Sequence, residues 1–141
     1  MEEKCQFTAS LVYTVCKEFI STVFDLPSWA LHEGRRVCKG PVFLGRITID
    51  TRGFLWVPLL GGSHVIEINP YSREVGRLVE IPAAKVSACT FGGSSMHILY
   101  VSTMGYGSYL AAPRGDRGGT IFAVTNLGNN VKGVQTTPVN L

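Results

Sequence analysis

The chain has 141 residues, 45% of them hydrophobic and 16% charged, with a net charge of +3. That length buries one domain-sized core. The basic residues are scattered, Arg35-Arg36 being their only adjacent pair, so no basic stripe for nucleic acid is present. The N-terminal MEEK is acidic where a signal peptide is basic, and no apolar run reaches the ~18 residues that span a bilayer, so neither secretion nor a membrane partner is expected.

Residues 7–24 (FTASLVYTVCKEFISTVF) read two ways. Leu11, Val15, Phe19 and Val23 lie four apart, as on a helix face, yet the stretch is rich in strand-forming Val, Thr, Tyr, Phe and Ile. Leu26-Pro27-Ser28, Gly34 and Lys39-Gly40-Pro41 are breaks. From Arg46 the pattern clears. RITID is a short strand closed by the turn Asp50-Thr51-Arg52-Gly53. GFLWVPLL follows, then the turn Gly61-Gly62-Ser63. HVIEIN places Ile66 and Ile68 on one face and Glu67 on the other. Asn69-Pro70-Tyr71-Ser72 turns the chain into EVGRLVEIP, with Val79 and Ile81 on one face.

The pattern then restarts. VSACTF (86–91) corresponds to RITID, ILYVSTM to FLWVPLL and TIFAVTN to HVIEIN, while residues 105–118 form an inserted loop. A period of roughly 40–45 residues with four strands in each is that of β-propeller blades. The expected fold is all-β, a single partial propeller domain over 1–141. Residues 45–85 form one blade and 86–141 the last blade, with 1–44 a divergent segment and possible remnant of the preceding blade.

Residues 45–133 resemble the C-terminal part of the regucalcin, or senescence-marker-protein, family, which includes gluconolactonases and luciferin-regenerating enzymes. The matching features, in order, are I-D-x-x-G-x-L-W-V from Ile49, G-G-x-x-V-I-x-I-N-P from Gly61, Ile81-Pro82, C-T-F-G-G from Cys89 and Leu99-Tyr100-Val101. Residues 21–38 are more faintly similar to outer strands of a preceding blade. The resemblance implies a six-bladed propeller, of which this chain holds about two and a half blades at four strands each. It also implies calcium or zinc in the central channel, held by a glutamate, an asparagine and an aspartate, and hydrolysis of a small-molecule lactone.

The resemblance places the family's Pro-Asp-Gly motif on Leu44-Gly45-Arg46, so Gly45 stands at the aspartate position. Glycine neither ligates a metal nor accepts a proton, and Arg46 sets a positive charge beside the cation. The glutamate and asparagine positions fall upstream of Met1. No catalytic, cofactor-binding or metal-ligating residue is therefore assigned. The chain is expected to be a truncated, catalytically impaired relative of calcium-binding hydrolases, binding no metal on its own. The alternative is a non-enzymatic assembly module that self-associates, or takes a partner protein, through open blade edges.

Other candidates have plainer readings. Asp50 is expected to satisfy turn amides, Glu67 to be an exposed strand residue and Asp116 a solvated loop residue. His32, His64 and His97 lack ligand spacing. Cys5, Cys16, Cys38 and Cys89 form no C-x-x-C pair and read as reduced thiols in a cytoplasmic protein, Cys89 being a buried structural one. Arg114-Gly115-Asp116 is a chance tripeptide match to an integrin motif. The glycine pairs at 61–62, 92–93 and 118–119 lack the Lys-Ser/Thr of a phosphate loop. Trp56 and Tyr100 occupy matched places and are expected to pack between blades.

Overall fold

The computed structural model describes residues 31–32, 35–36, 43–107, 111–135 and 137. The ambiguous 7–24 segment lies outside them, as do Cys5, Cys16 and Cys38. Every regular element among the described residues is a strand. In chain order they are β1 (Leu31–His32), β2 (Arg35–Arg36), β3 (Phe43–Leu44), β4 (Thr48–Ile49), β5 (Leu55–Leu60), β6 (His64–Asn69), β7 (Glu74–Glu80), β8 (Val86–Gly92), β9 (Ile98–Thr103) and β10 (Ile121–Val124). β1 and β2 form an antiparallel pair within the faintly similar 21–38 region. The two larger sheets run β3/β4-β5-β6-β7 and β8-β9-β10, with every strand pair antiparallel.

The turns form where the sequence supplies the right backbone. Gly53 takes φ +83° and its amide bonds to the Asp50 carbonyl at 2.9 Å. Asn69 Oδ1 accepts the Tyr71 amide at 3.0 Å, and the Asn69 carbonyl takes the Arg73 amide at 2.8 Å.

RITID does not form one strand. β3 and β4 both pair with β5, but Gly45, Arg46 and Ile47 stand opposite only Val57 and Pro58. One extra residue is accommodated there, a β-bulge. Pro58 suits this place: it has no amide to donate, and its carbonyl accepts the Gly45 amide at 2.9 Å. The bulge turns Arg46 toward the second sheet. There its amide bonds to the Ser87 carbonyl at 2.9 Å, and its own carbonyl takes the Cys89 amide at 3.1 Å. The result is a parallel bridge between Arg46 and Ala88. β8 carries a matching irregularity between Val86 and Ala88.

The two sheets share one cross-strand register. Trp56 lies between Thr48 and Glu67, as Tyr100 lies between Thr90 and Ala123, and Pro58 pairs with Val65 as Ser102 pairs with Ile121. The larger core cluster fills the space between them. Trp56 and Val65 of the first sheet, with Ile81 just after it, meet Cys89, Phe91, Leu99 and Val101 of the second, and the buried Val131. Trp56 and Phe91 meet edge to face, with centroids 5.5 Å apart at 87°. Leu55, Val57, Leu59, Ile66 and Ile68 form a separate cluster on the first sheet's other face. The corresponding other face of the second sheet, carrying Tyr100 and Ile121, is open, and Ile121 is 70% exposed.

Thus Trp56 packs between sheets as expected, whereas Tyr100, at the matched place, does not. Deleting the two rings should separate these environments. In urea unfolding, Trp56→Ala is expected to cost about 3–5 kcal/mol, and Tyr100→Ala about 1 kcal/mol or less.

Candidate functional site

Asp50 ends the inner strand, and its carboxylate is buried. Oδ1 accepts the amides of Arg52 at 2.9 Å and Phe54 at 3.1 Å, which fixes the turn as expected. Oδ2 accepts the Trp56 indole N–H at 3.1 Å and the Arg52 guanidinium at 3.2 and 2.6 Å. Arg52 continues to Glu67 Oε1, and Arg77 meets Glu67 Oε2 at 3.1 Å. Burial alone lowers the Arg52 pKa, but the hydrogen bonds and charges of Asp50 and Glu67 outweigh it and raise the pKa.

Glu67 corrects the sequence expectation. It is 2% exposed, not a solvated strand residue. Its face of β6 is the one the second sheet covers, and it lies in the cross-strand row Trp56–Glu67–Arg77. Asp116 is also more engaged than expected. Oδ1 accepts the Ala84 amide at 2.6 Å and Oδ2 the Gly118 amide at 3.0 Å, pinning residues 116–118 onto the inter-sheet connection. The same contacts occupy the carboxylate of Arg114-Gly115-Asp116.

His64 Nδ1 donates to the Gly62 carbonyl and His97 Nδ1 to the Val131 carbonyl, both at 2.7 Å. The side chain of His32 lies outside the described residues. Cys89 is a buried free thiol whose Sγ donates to the Trp56 carbonyl at 3.3 Å. Burial pushes its pKa up to about 12, so it is not a nucleophile at neutral pH.

Where the inner strands β4 and β8 run side by side, a cavity of about 500 Å³ opens. Arg46, Thr48, Thr90, Tyr100, Ser102 and Ile121 line it. Gly45 immediately precedes the lining residue Arg46. A Cβ there would collide with the Ser87 carbonyl oxygen and come within 2.8 Å of Pro58 Cγ. The lining thus has no carboxylate, a side chain at position 45 has no room, and the lining's one charged residue is Arg46. Among the described residues no cluster of three His, Cys, Asp or Glu side chains has the geometry of a cation site. These residues do not fit the calcium or zinc that the resemblance implies. The hydroxyl lining went unread in the sequence, although Thr48 and Thr90 occupy matched positions of the two repeats.

The comparisons with known proteins agree with this architecture. The family described as SMP-30/Gluconolactonase/LRE-like region matches residues 16–105, and the chain belongs to it. It is 36% identical to regucalcin of Danio rerio over 115 residues, covering 79% of this chain and 38% of that protein. It is 29% identical to pentonolactonase XacC of Haloferax volcanii over 117 residues, 81% of this chain and 38% of that one. A solved luciferin-regenerating enzyme superposes with a TM-score of 0.59 at 31% identity, over 72% of this chain and 33% of that chain. The chain spans between about a fifth and two fifths of the length of the curated relatives it matches.

Two outcomes follow from the local chemistry. In the native chain Cys89 should resist iodoacetamide at pH 8 and react once urea unfolds it, as mass spectrometry would record. Gly45→Asp should destabilise by about 1–3 kcal/mol through overpacking, with no gain in calcium affinity by calorimetry.

Proposed function

We propose that the chain descends from metal-dependent lactone hydrolases and that, by itself, it turns lactones over little or not at all. Its family membership supports the lineage, and the pentonolactonase among its relatives supports lactones as the ancestral substrate class. Gly45 carries the second half of the reading. Where the family aspartate would ligate calcium or zinc and accept a proton, this chain has no side chain and a backbone packed against Ser87 and Pro58. Arg46 beside it opposes a cation. On this reading each repeat is a propeller blade, the ring of the parent fold is six-bladed, and the chain holds about two and a half blades. The buried reduced thiol of Cys89 suits a cytoplasmic setting.

The test is hydrolysis of D-glucono-1,5-lactone by the purified chain with calcium or zinc chloride. The expected rate equals the no-protein control. Metal-dependent turnover above that control would overturn the reading.

A second reading, a non-enzymatic assembly module, rests on the open face of β8-β9-β10. Tyr100 and Ile121 stand where Trp56 and Val65 stand in the first sheet, and there a neighbouring sheet covers them. Self-association through this face would bury it in the same manner. Size exclusion with light scattering should give a mass above the 15.3 kDa of one chain. Ile121→Lys should lower it; a stable wild-type monomer would count against this reading.

A further inference from the structure

We propose that the outer edge of β10 pairs antiparallel with the same edge of a second copy, joining two three-stranded sheets into one across a two-fold axis. The proposal rests on the assembly reading for self-association, but it uses the edge of the second sheet and not its open face. Three observations carry it. First, the second sheet stops one strand short of the first. With Trp56 matched to Tyr100, β4, β5 and β6 correspond to β8, β9 and β10, and β7 has no counterpart among the described residues. Among those residues β10 has a neighbour on one side only, β9.

Second, the ladder fixes which backbone groups face outward. The Thr103 amide donates to the Thr120 carbonyl at 3.2 Å, and Ile121 stands opposite Ser102. In an antiparallel pair, successive residues turn their N–H and C=O alternately toward the neighbour and away from it. Thr120, Phe122 and Val124 therefore face β9, while the N–H and C=O of Ile121 and Ala123 point outward. These two residues lie at the surface: Ile121 is 70% exposed and Ala123 is exposed, whereas Phe122 and Val124 pack against the core.

Third, this edge lacks the features that keep sheet edges apart. β7, the outer strand of the first sheet, carries Glu74, Arg77 and Glu80, and its pairing with β6 is broken by a register shift. Residues 120–126 carry no charge, no proline and no glycine, and β10 keeps an unshifted register with β9. A second copy fits such an edge because the pairing is its own complement. With Phe122 of each copy on the axis, Ile121 of one stands opposite Ala123 of the other, and each such pair exchanges two backbone hydrogen bonds. No like charges are brought opposite one another. So short a ladder makes a dimer whose population rises with protein concentration.

The test is size exclusion with light scattering of the full chain over a range of concentrations, joined to amide exchange read by NMR. The mass is expected to rise toward twice the 15.3 kDa of one chain. The Ile121 and Ala123 amides should exchange about tenfold more slowly at the highest concentration than at the lowest. Ala123→Pro removes an outward amide, which an edge strand tolerates, and should return the mass to one chain with the circular dichroism spectrum unchanged. Val124→Pro removes an amide that faces β9 and should instead lower the unfolding midpoint. Tyr100→Lys, on the middle strand, charges the open face and should leave the edge dimer intact. Assembly that survives Ala123→Pro but not Tyr100→Lys would overturn the edge proposal and leave the face reading standing. Slow exchange of both amides at every concentration in a monomer would put another segment of the same chain on the edge, and would overturn the proposal. A monomer in which both amides exchange fast would overturn the edge and the face alike.

Discussion

The Asp50 carboxylate is the point from which the described structure is organised. A buried charge costs several kcal/mol unless it is met by hydrogen bonds and an opposite charge. Asp50 is met by both. Two backbone amides, the Trp56 indole and the Arg52 guanidinium converge on its two oxygens. The turn is thereby fixed, and the Trp56 ring is held in the orientation that meets Phe91. Arg52 passes the constraint to Glu67 and so to Arg77 on β7. The neighbouring Thr51 amide binds the Lys132 carbonyl at 2.8 Å, and Asp50 bridges Gly133, which draws the late part of the chain onto the same corner. The carboxylate therefore couples β4 to three further strands of its sheet, while the main chain of the same turn holds the segment after β10.

Much of this fold was legible because its punctuation is local. Gly53, Gly61-Gly62, Asn69-Pro70 and Gly92-Gly93 mark turns by backbone chemistry alone, and the strands between them follow. The repeat was legible because ILYV and FLWV keep the same order relative to those turns. Glu67 was not legible. Alternation assigns a residue to a face, but it does not say whether a second sheet covers that face. Nor was the bulge legible, since RITID alternates as an unbroken strand would. Pro58, on the neighbouring strand, suits the bulge by having no amide to donate, but the matching irregularity of β8 stands opposite Ser102, so the bulge is set by pairing that only the folded chain establishes. The threonines of the cavity looked neutral because a hydroxyl gains chemical meaning from what stands beside it.

Packing leaves little freedom at the corner of Gly45 and Arg46. The antiparallel sheets superpose on a solved luciferin-regenerating enzyme with a TM-score of 0.59. The scaffold tolerates glycine at position 45 because the bulge is held by backbone bonds from Pro58, Ser87 and Cys89, none of which depends on the side chain at 45. Glycine is moreover the residue the packing demands, as any larger one meets the Ser87 carbonyl. Packing at this corner is thus enough by itself to select glycine at position 45.

The parallel bridge joins Arg46 to Ala88, which are the same position in successive repeats. A contact between equivalent positions makes the junction polar, with a leading surface on one unit and a trailing surface on the next. Such head-to-tail stacking has no self-complementary axis, so adding a unit re-creates the surface it has just covered. The number of units in a complete object is then set by the rotation at each junction, not by saturation of any contact. At the junction seen here that rotation is held by the backbone bonds of Arg46 to Ser87 and Cys89, so main-chain geometry at one bulge has consequences far beyond its own sheet.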